Sequence, residues 1–363
     1  MDNLENINTS IDDFDYIFKY EICKFLDIHS FVIVYSTYDG YLIVSNLINK
    51  ETKILKLCDV DDQDSSVYSI SLLKDNDSLY FITLKHIKIC SLKDGKVSYF
   101  KEDAYRIRIN CISTSHDSKM ICSSGIDYVN EFIIKLWDIE TKSLIYQYAV
   151  NKIILCYPYS INFSYSNDLV IFGQDHETEI KVLDIKEKHI YSIQTSHDDC
   201  IINALFTKDD KLIISASLDG VIIVRDNMSP VENKIVNHDI DNDRSFDRLE
   251  DIYIDKNDEF LYSLSLKKCM IWDITNNMLL IKVIKLPEYV DIHSSYSIIM
   301  YDKILCVPSV NDDIILINTE DNTIQTFNTN LNVSHALIAS SYEYTKNDMD
   351  IVMNVLMCLN ERT

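Results

Sequence analysis

Between residues 239 and 250, six oxygen-bearing side chains follow the ligand spacing of a twelve-residue calcium loop. Carboxylate and hydroxyl groups occupy loop positions 1, 3, 5, 7, 9 and 12, which are Asp239, Asp241, Asp243, Ser245, Asp247 and Glu250. Calcium binds oxygen ligands of this kind at this spacing, so the segment is a candidate metal site.

Two features of the same segment argue against calcium. Arg244 stands at the sixth loop position, where the sharp turn of a calcium loop requires glycine. The flanking stretches VENKIVNH and DIYIDKNDEF alternate like strands, whereas calcium loops of this type lie between helices. We therefore predict a solvated acidic loop and no metal site.

Other catalytic and cofactor patterns are missing from the sequence. It contains no glycine-rich phosphate loop, no GxSxG and no HExxH, and its histidines and cysteines do not pair at metal-ligand spacings. Ser, His and Asp residues are numerous enough for a hydrolytic triad, but so they are in any chain of this length. We predict a protein that is not an enzyme and binds no cofactor.

A repeat organises nearly the whole chain. Seven stretches with apolar residues at alternating positions end in Asp, Asn or Ser at intervals of about 45 residues, a range typical of repeat architectures. They end at Asn46, Ser91, Asp138, Asp184, Asp226, Asp273 and Asn318. Because the apolar period is two, the stretches predict strands rather than helices.

The unit around Asp226 shows what a repeat contains. Residues 201–206 and 212–217 alternate as strands, Asp219-Gly220 is a favoured hairpin turn, and VIIVRD and VENKIV follow as the third and fourth strands. A four-stranded sheet cannot cover both of its faces alone, whereas sheets stacked around an axis cover one another. We predict an all-β fold, a seven-bladed β-propeller of four-stranded antiparallel blades.

The sequence leaves open how the ring closes. Residues 14–28 could supply strands to the first blade, with residues 333–342 and 351–359 as an extra pair of strands. Alternatively, the two termini form a partial eighth blade, and a helix over residues 350–359 also fits the apolar spacing. The predicted organisation is a flexible arm, the propeller and C-terminal strands that pack on it or close it: residues 1–13, 14–330 and 331–363.

The chain resembles the WD-repeat family over about residues 20–330. Trp137-Asp138 and Trp272-Asp273 are the family's namesake dipeptide, and IISASLDGVIIVRD is close to its strand–turn–strand pattern, with Arg225 in place of tryptophan. The resemblance implies a scaffold that binds other proteins. It also implies that Asp138, Asp273 and the residues that end the other stretches are structural marks: Asn46, Asp184, Asp226 and Asn318.

The resemblance further implies a hydrogen-bonded set of four side chains in each unit. They are a His before the first strand, a Ser or Thr on the second, an Asp in the hairpin turn and the Trp. No unit of this chain keeps all four, and the unit around Asp226 has His197, Ser215 and Asp219 without the Trp. We expect blades of uneven stability, with the unit that ends at Ser91 among the weakest.

The composition narrows the possible partners. The 363 residues carry 57 acidic and 34 basic side chains, a net charge of −23, which disfavours nucleic acid and anionic membranes because both require Lys and Arg. No apolar run reaches the roughly 18 residues of a membrane helix, and no secretory signal is visible. Ten scattered cysteines without a CxxC pair predict reduced, buried thiols in a cytoplasmic protein.

The acidic residues concentrate where loops are expected to share one rim of the propeller. This rim would hold the loops between blades and the turns between second and third strands, including the turn acids Asp127, Glu179 and Asp219. A focused negative face attracts basic partners, so we predict binding of basic protein segments there. The candidate loop residues are Asp59, Asp61, Asp62, Asp64, Asp198, Asp199, Asp239, Asp241 and Asp243.

Two alternative functions stay open at this stage. A substrate receptor of a ubiquitin ligase would share the scaffold, although Glu140 and Thr275 stand where the family's adaptor signature has arginine. A propeller enzyme would use acids and histidines in the central channel. The sequence does not predict the oligomeric state.

Overall fold

The computed structural model shows an all-β protein, and no helix occurs among the residues it describes. These are residues 32–36, 41–46, 52–56, 69–72, 78–91, 94–128, 131–151, 160–173, 178–227, 229, 232–238, 249–255, 257–287, 299–301, 304–308 and 313–328. The all-β class predicted from the sequence is therefore confirmed.

In the described part of the chain, twenty-seven strands form seven sheets that follow one another in sequence. Sheet 1 contains β1 Val32–Ser36, β2 Tyr41–Asn46 and β3 Thr52–Lys56. Sheet 2 contains β4 Ser69–Leu72, β5 Ser78–Ile82, β6 Ile87–Ser91 and β7 Val97–Lys101. Sheet 3 contains β8 Arg108–Thr114, β9 Met120–Tyr128, β10 Glu131–Asp138 and β11 Leu144–Asn151.

The remaining four sheets repeat the same plan. Sheet 4 contains β12 Ile161–Phe163, β13 Leu169–Phe172, β14 Glu179–Asp184 and β15 His189–Gln194. Sheet 5 contains β16 Ile201–Phe206, β17 Leu212–Ser217, β18 Val221–Asp226 and β19 Glu232–Asn237. Sheet 6 contains β20 Leu249–Ile254, β21 Phe260–Ser265, β22 Lys268–Asp273 and β23 Leu279–Lys285. Sheet 7 contains β24 Ile299–Tyr301, β25 Ile304–Pro308, β26 Asp313–Asn318 and β27 Ile324–Asn328.

Every sheet is antiparallel and is ordered as its strands occur in the sequence. Each repeated stretch found in the sequence is the third strand of its four-stranded sheet, and in the three-stranded sheet 1 it is β2. The described part of sheet 1 thus corresponds to the second, third and fourth strands of the others. Residues 14–28, 333–342 and 351–359, on which ring closure depends, lie outside the described residues.

Successive sheets pack face to face through apolar side chains. Separate buried clusters join sheets 2 and 3, 3 and 4, 4 and 5, 5 and 6, and 6 and 7. Burying one Ile, Leu or Phe side chain contributes about 1.5–3 kcal/mol, so each interface is a substantial source of stability. The first strands β4, β8, β12, β16 and β20 also lie beside one another in that order. This arrangement is consistent with a propeller-like fold.

Polar side chains on the first strands bond to the next sheet. Asn162 donates its amide hydrogens to the carbonyl oxygen of Ala204 and to Asn203 Oδ1, both at 3.0 Å. Asn203 in turn donates to Asp251 Oδ1 at 2.8 Å. A first strand has no strand partner on its inner side, and Asn162 supplies a donor there to the carbonyl oxygen of Ala204.

Turns between first and second strands are also fastened to their neighbours. The carboxylate of Asp210, in the turn of sheet 5, accepts the backbone N–H groups of Tyr165 and Ser166 in the turn of sheet 4, both at 2.7 Å. Asp258 in sheet 6 accepts the N–H of Lys208 at 2.5 Å. The same carboxylate position therefore clamps each of these turns to the preceding sheet.

Replacing Asp210 with alanine should lower the free energy of unfolding by about 2 kcal/mol, because two hydrogen bonds to a charged acceptor are lost. Its φ of 56° adds to the cost, since alanine tolerates this left-handed conformation less well than Asp or Asn. Asp210→Asn keeps one acceptor oxygen and the backbone tolerance, so it should cost less than half as much. Urea unfolding measures both, and an unchanged midpoint for the alanine variant would refute the clamp.

The chain has only five glycines, and Asn and Asp are the commonest non-glycine residues at turn positions with a positive φ. Among the described non-glycine residues with positive φ, six of ten are Asn or Asp, at positions 103, 167, 210, 258, 277 and 322. Lys142, Lys188, Ser118 and Met278 make up the others. Short polar side chains tolerate this conformation best because they hydrogen-bond to the local backbone.

Candidate functional site

The loops that lead from one sheet to the next contact the turns between second and third strands, and together they form one rim, here called the connector rim. Asp198, in the loop before sheet 5, donates its backbone N–H to Asp219 Oδ2 at 2.8 Å. Arg106, in the loop before sheet 3, donates its N–H to Asp127 Oδ1 at 2.9 Å. The predicted sharing of one rim is therefore correct in sheets 3 and 5.

Two of the predicted acidic rim residues are described, and both are exposed. Asp198 and Asp199 lie side by side in the loop between β15 and β16. Ser217 Oγ donates to the carbonyl oxygen of Asp199 at 2.9 Å, and this hydrogen bond attaches the loop to β17. The other predicted rim acids lie outside the described residues: Asp59, Asp61, Asp62, Asp64, Asp239, Asp241 and Asp243.

Three turn acids that the sequence pattern assigns to the same rim have internal partners instead. Asp127 forms an ion pair with Lys135, and Asp219 hydrogen-bonds to His197. Glu179 accepts hydrogen bonds from Lys181 and Gln194, and these lower its pKa to about 2. These carboxylates are therefore not available to a partner as the pattern suggests, because internal hydrogen-bond donors already occupy them.

Basic side chains also lie on the connector rim. Arg106 is exposed in the loop before sheet 3, and Lys267 is exposed in the turn of sheet 6. Glu102 and Asp103 are exposed beside Arg106. In the part of the rim that the structure describes, the charge is thus mixed. Of its two pairs of adjacent exposed acids, Glu102–Asp103 shares its loop with Arg106, whereas Asp198–Asp199 has no Lys or Arg in its loop.

His197, Ser215 and Asp219 have the connectivity of a hydrolytic triad. His197 Nε2 lies 2.9 Å from Ser215 Oγ, and its Nδ1 lies 3.3 Å from Asp219 Oδ2. However, Ser215 is fully buried and His197 is 3% exposed, so a substrate carbonyl cannot reach the serine oxygen. In this geometry the three side chains join the connector to sheet 5.

The pKa of Asp219 reflects this structural role. Burial alone would raise its pKa, but hydrogen bonds from His197 and from the backbone N–H groups of Asp198 and Val221 outweigh burial and lower it. The carboxylate is thus held in its charged form, which accepts these hydrogen bonds best.

Equivalent networks with different members occur in sheets 3 and 6. In sheet 6, Ser263 Oγ receives the indole N–H of Trp272 at 2.8 Å and contacts His238 Nδ1 at 2.7 Å. In sheet 3, Ser123 Oγ receives the indole N–H of Trp137 at 2.8 Å. The expected set of four is incomplete in each sheet, but a serine of the second strand is central to all three networks.

Tyr105 takes the histidine's place in sheet 3, and the sequence analysis missed it. Its hydroxyl donates to the carbonyl oxygen of Ser123 at 2.8 Å and lies 3.1 Å from Ser123 Oγ. The side chain is fully buried. A signal exists in its position, because Tyr105 precedes β8 by three residues, much as His197 precedes β16 by four.

A buried ion pair adjoins Tyr105 and was also missed. Lys135 Nζ lies 2.7 Å from Asp127 Oδ2 and donates to the carbonyl oxygen of Ala104, also at 2.7 Å. The same ammonium group lies 4.1 Å from the centre of the Tyr105 ring, a favourable cation–π distance. The available signal was a lysine inside the apolar stretch FIIKLWD.

Arg225, which replaces the tryptophan in sheet 5, is buried at the interface with sheet 4. Its guanidinium donates to the carbonyl oxygen of Gln194 at 3.1 Å and to that of Ser229 at 2.5 Å. The side chain is 4% exposed. An arginine thus fills the apolar position by bonding to backbone carbonyls instead of to the second-strand serine.

The residues that end the repeated stretches cap the turns that follow. Asp138 Oδ1 accepts the N–H of Thr141, Asp184 Oδ1 accepts that of Glu187, and Asp273 Oδ1 accepts that of Asn276, at 2.7–2.9 Å. Hydrogen bonds from Thr141 and Thr275 lower the pKa of Asp138 and Asp273, respectively. Asn318 Oδ1 likewise accepts the backbone N–H of Glu320. The repeated residue is therefore one whose side chain stabilises the following turn.

Of the six candidate calcium ligands, only Glu250 lies among the described residues. Asp239, Asp241, Asp243, Ser245 and Asp247 lie outside the described residues, whereas Glu250 lies in β20 and is 5% exposed. The strands β19 and β20 flank the segment, which confirms the expected strand character of its flanks. Among the described residues, no group of three or more His, Cys, Asp or Glu side chains could hold a metal ion.

The five cysteines whose side chains the structure describes are free thiols: Cys90, Cys111, Cys122, Cys200 and Cys269. All but Cys111 are buried. Burial raises the pKa of Cys122 and raises that of Cys269 to about 12, so neither forms a reactive thiolate. Within the described chain, no helix has the length and apolar character needed to cross a membrane.

No protein-family model matches this chain, and no curated protein matches it.

Proposed function

We propose that the chain is a closed seven-bladed propeller of the WD-repeat type. Seven consecutive sheets, neighbouring first strands and an apolar cluster at each described interface support this proposal. The indole bonds of Trp137 and Trp272 to second-strand serines support it further. The missing first strand of sheet 1 would come from the residues before β1 or from those after β27.

We propose that the protein is a non-enzymatic scaffold that binds other proteins through its connector rim. The observation that carries this proposal is the loop before sheet 5. Its backbone is bonded to Asp219 and Ser217, while the side chains of Asp198 and Asp199 are exposed. Asp199 Oδ1 also accepts the backbone N–H of Cys200 at 2.7 Å. A rigid loop with two exposed carboxylates loses little conformational entropy when a partner binds.

The partner we propose is a basic protein segment. The net charge of −23 creates a long-range attraction for cationic partners, and the adjacent carboxylates supply a local contact. The buried free thiols support a cytoplasmic location, since reducing compartments keep cysteines in this form.

A variant with both carboxylates neutralised, Asp198→Asn with Asp199→Asn, should bind a short lysine-rich peptide about fivefold more weakly at low ionic strength. The physical reason is the loss of two exposed charges from one loop. Fluorescence anisotropy with a labelled peptide measures the change, and added salt should shrink the difference between variant and parent.

The matched control removes two exposed charges from the opposite rim, Asp168→Asn with Glu187→Gln. This variant has the same net charge but keeps the connector rim, so its affinity should stay near that of the parent. Equal weakening by both variants would show that only the overall charge matters and would refute a site on the connector rim. Absence of binding by the parent protein at either salt concentration would refute the basic partner.

A further inference from the structure

Two aromatic rings from neighbouring sheets stack on the rim opposite the connector rim. His116 lies in the turn between β8 and β9, and Tyr165 lies in the turn between β12 and β13. Their ring centroids are 4.0 Å apart, and the angle between the ring planes is 10°. His116 is exposed, and Tyr165 is 38% exposed. The pair therefore presents a flat aromatic surface that a partner can reach.

Hydrogen bonds between neighbouring turns fix the position of both rings. The backbone N–H of Tyr165 donates to Asp210 Oδ1 at 2.7 Å, which ties this turn to the turn of sheet 5. The backbone N–H of Asp117, next to His116, donates to Asn167 Oδ1 at 3.3 Å and joins the turns of sheets 3 and 4. Rings on turns held in this way need little rearrangement to accept a partner.

Acidic residues outnumber lysines in the turns around the pair. The turns between first and second strands of sheets 3 to 6 span residues 115–119, 164–168, 207–211 and 255–259. Two of their lysines are paired within their own turns, Lys119 with Asp117 and Lys211 with Asp209. The remaining excess of negative charge favours a cationic partner. The seven acidic residues are Asp117, Asp168, Asp209, Asp210, Asp255, Asp258 and Glu259, and the four lysines are Lys119, Lys208, Lys211 and Lys256.

The negative charge acts on the Tyr165 ring itself. Burial and nearby carboxylates, Asp258 foremost among them, raise the pKa of Tyr165 to about 12. The phenol is therefore neutral at physiological pH and adds no charge of its own. Burial and neighbouring acids also raise the pKa of Asp258, although the backbone N–H and the ammonium group of Lys208 oppose this effect. The lysines of these turns thus do not balance the charge beside the ring.

Asp258 can accept a further hydrogen bond. Its Oδ2 accepts the backbone N–H of Lys208 at 2.5 Å, whereas its Oδ1 receives no hydrogen bond from the described residues. A carboxylate near an aromatic surface suits a guanidinium group, which stacks its plane on a ring and donates N–H groups within that plane. An ammonium group can also approach the ring, but it has no plane to stack and is more strongly hydrated.

We propose that the His116–Tyr165 pair is a binding site for an arginine side chain of a partner protein. The guanidinium group lies on the exposed surface of the pair, and its N–H groups donate to Asp258 Oδ1. This site is on the other rim from Asp198 and Asp199 and depends on stacking as well as on charge. It therefore goes beyond the connector-rim interaction proposed above and does not rest on it.

Two blocked fluorescent peptides of glycine and serine test the proposal, one with arginines and the other with lysines at the same positions. Their charges are equal, so a purely electrostatic surface would bind both alike. The parent protein should bind the arginine peptide about fivefold more tightly than the lysine peptide in fluorescence anisotropy. Tyr165→Leu should abolish this preference. The matched control is Tyr191→Leu, which changes a tyrosine of similar exposure on β15 and should keep the preference.

Asp258→Asn is the second variant, and it should weaken the arginine peptide more than the lysine peptide. The amide keeps an acceptor oxygen for the N–H of Lys208, and asparagine tolerates the φ of 58° at this position. Circular dichroism checks that each variant is folded. The variant with Asp198→Asn and Asp199→Asn should weaken both peptides by the same factor, so the ratio of their affinities separates this site from the connector rim.

Equal affinities of the parent protein for the two peptides would overturn the proposal. So would equal losses of preference in the Tyr165 and Tyr191 variants, or a full preference in the Asp258 variant. Self-association of the parent protein that Tyr165→Leu abolishes would also overturn it, because the occupant of the aromatic surface would then be a second copy of this chain.

Discussion

Replacing Lys135 with methionine should lower the free energy of unfolding by about 3 kcal/mol, because the change leaves the Asp127 carboxylate buried without its cation. The two side chains are 8% and 12% exposed. The substitution also removes the hydrogen bond to the Ala104 carbonyl and the contact with the Tyr105 ring. Urea denaturation followed by tyrosine and tryptophan fluorescence measures the loss.

The exposed pair Lys211–Asp209 is the matched control. Its N–O distance is also 2.7 Å, but its side chains are 75% and 51% exposed. Water solvates both of these charges in either state, so Lys211→Met should leave the unfolding midpoint unchanged within error. Equal effects of the two lysine substitutions would show that the burial of Lys135 is unimportant.

A double variant separates the ion pair from the packing around it. Asp127→Asn removes the charge that Lys135→Met leaves unpaired, so the two changes together should cost less than the sum of the single changes. The shortfall measures the coupling between the two side chains. Strict additivity would mean that the 2.7 Å contact contributes no coupling energy.

The repeat could be predicted because the turn after each third strand needs the same kind of hydrogen-bond acceptor. Asp138, Asp184 and Asp273 each accept a backbone N–H from the turn that follows, so a carboxylate is needed at the same place in successive units. The nearly continuous apolar runs before them follow from third strands that are buried on both faces. Strand positions and the order of strands within each unit could therefore be predicted from sequence.

Which carboxylates are exposed and which have internal partners could not be predicted in the same way. Asp127 lies near the end of β9 and Asp219 lies in the turn between β17 and β18, and the sequence pattern counts both as rim acids. Each is instead bonded to a side chain outside its own strand or turn, Lys135 on β10 or His197 in the connector before sheet 5. Whether such an acid is exposed depends on that donor. The position of the donor does not follow from the local periodicity of the sequence.

The residue that bonds to the second-strand serine differs from sheet to sheet, and this variation could not be predicted from local sequence either. Ser123, Ser215 and Ser263 all occupy second strands, but their partners are Tyr105, His197 and His238 respectively. Any donor of suitable size before the first strand satisfies the same serine oxygen. A motif defined by one residue type therefore recognises only some of the units, although the geometry is preserved.

Acid should destabilise the protein through His238, with a loss of about 2 kcal/mol in unfolding free energy between pH 7 and pH 5. Burial, together with the nearby Lys268 ammonium, lowers the pKa of His238 to about 3. The side chain is fully buried, and its Nε2 has no hydrogen-bond partner among the described residues. A proton on Nε2 would therefore be buried without an acceptor.

The sign of the effect follows from the two pKa values. Above about pH 6.5 the histidine is neutral in both states and contributes no pH dependence. Between that pH and about 3 the unfolded chain binds a proton that the folded protein excludes, so stability falls by about 1.4 kcal/mol per pH unit. The stabilising contribution is therefore present at neutral pH and lost on acidification.

His238→Gln should flatten this part of the stability profile, because glutamine can bond to Ser263 but does not titrate. The matched control is His189→Gln, which changes an exposed histidine on β15 and should preserve the slope of the parent. Chemical denaturation at several pH values between 7 and 5 gives the three slopes. A glutamine variant at position 238 that keeps the parent's slope would mean that His238 already accepts its proton in the folded state. The lowered pKa of His238 in the folded protein would then be wrong.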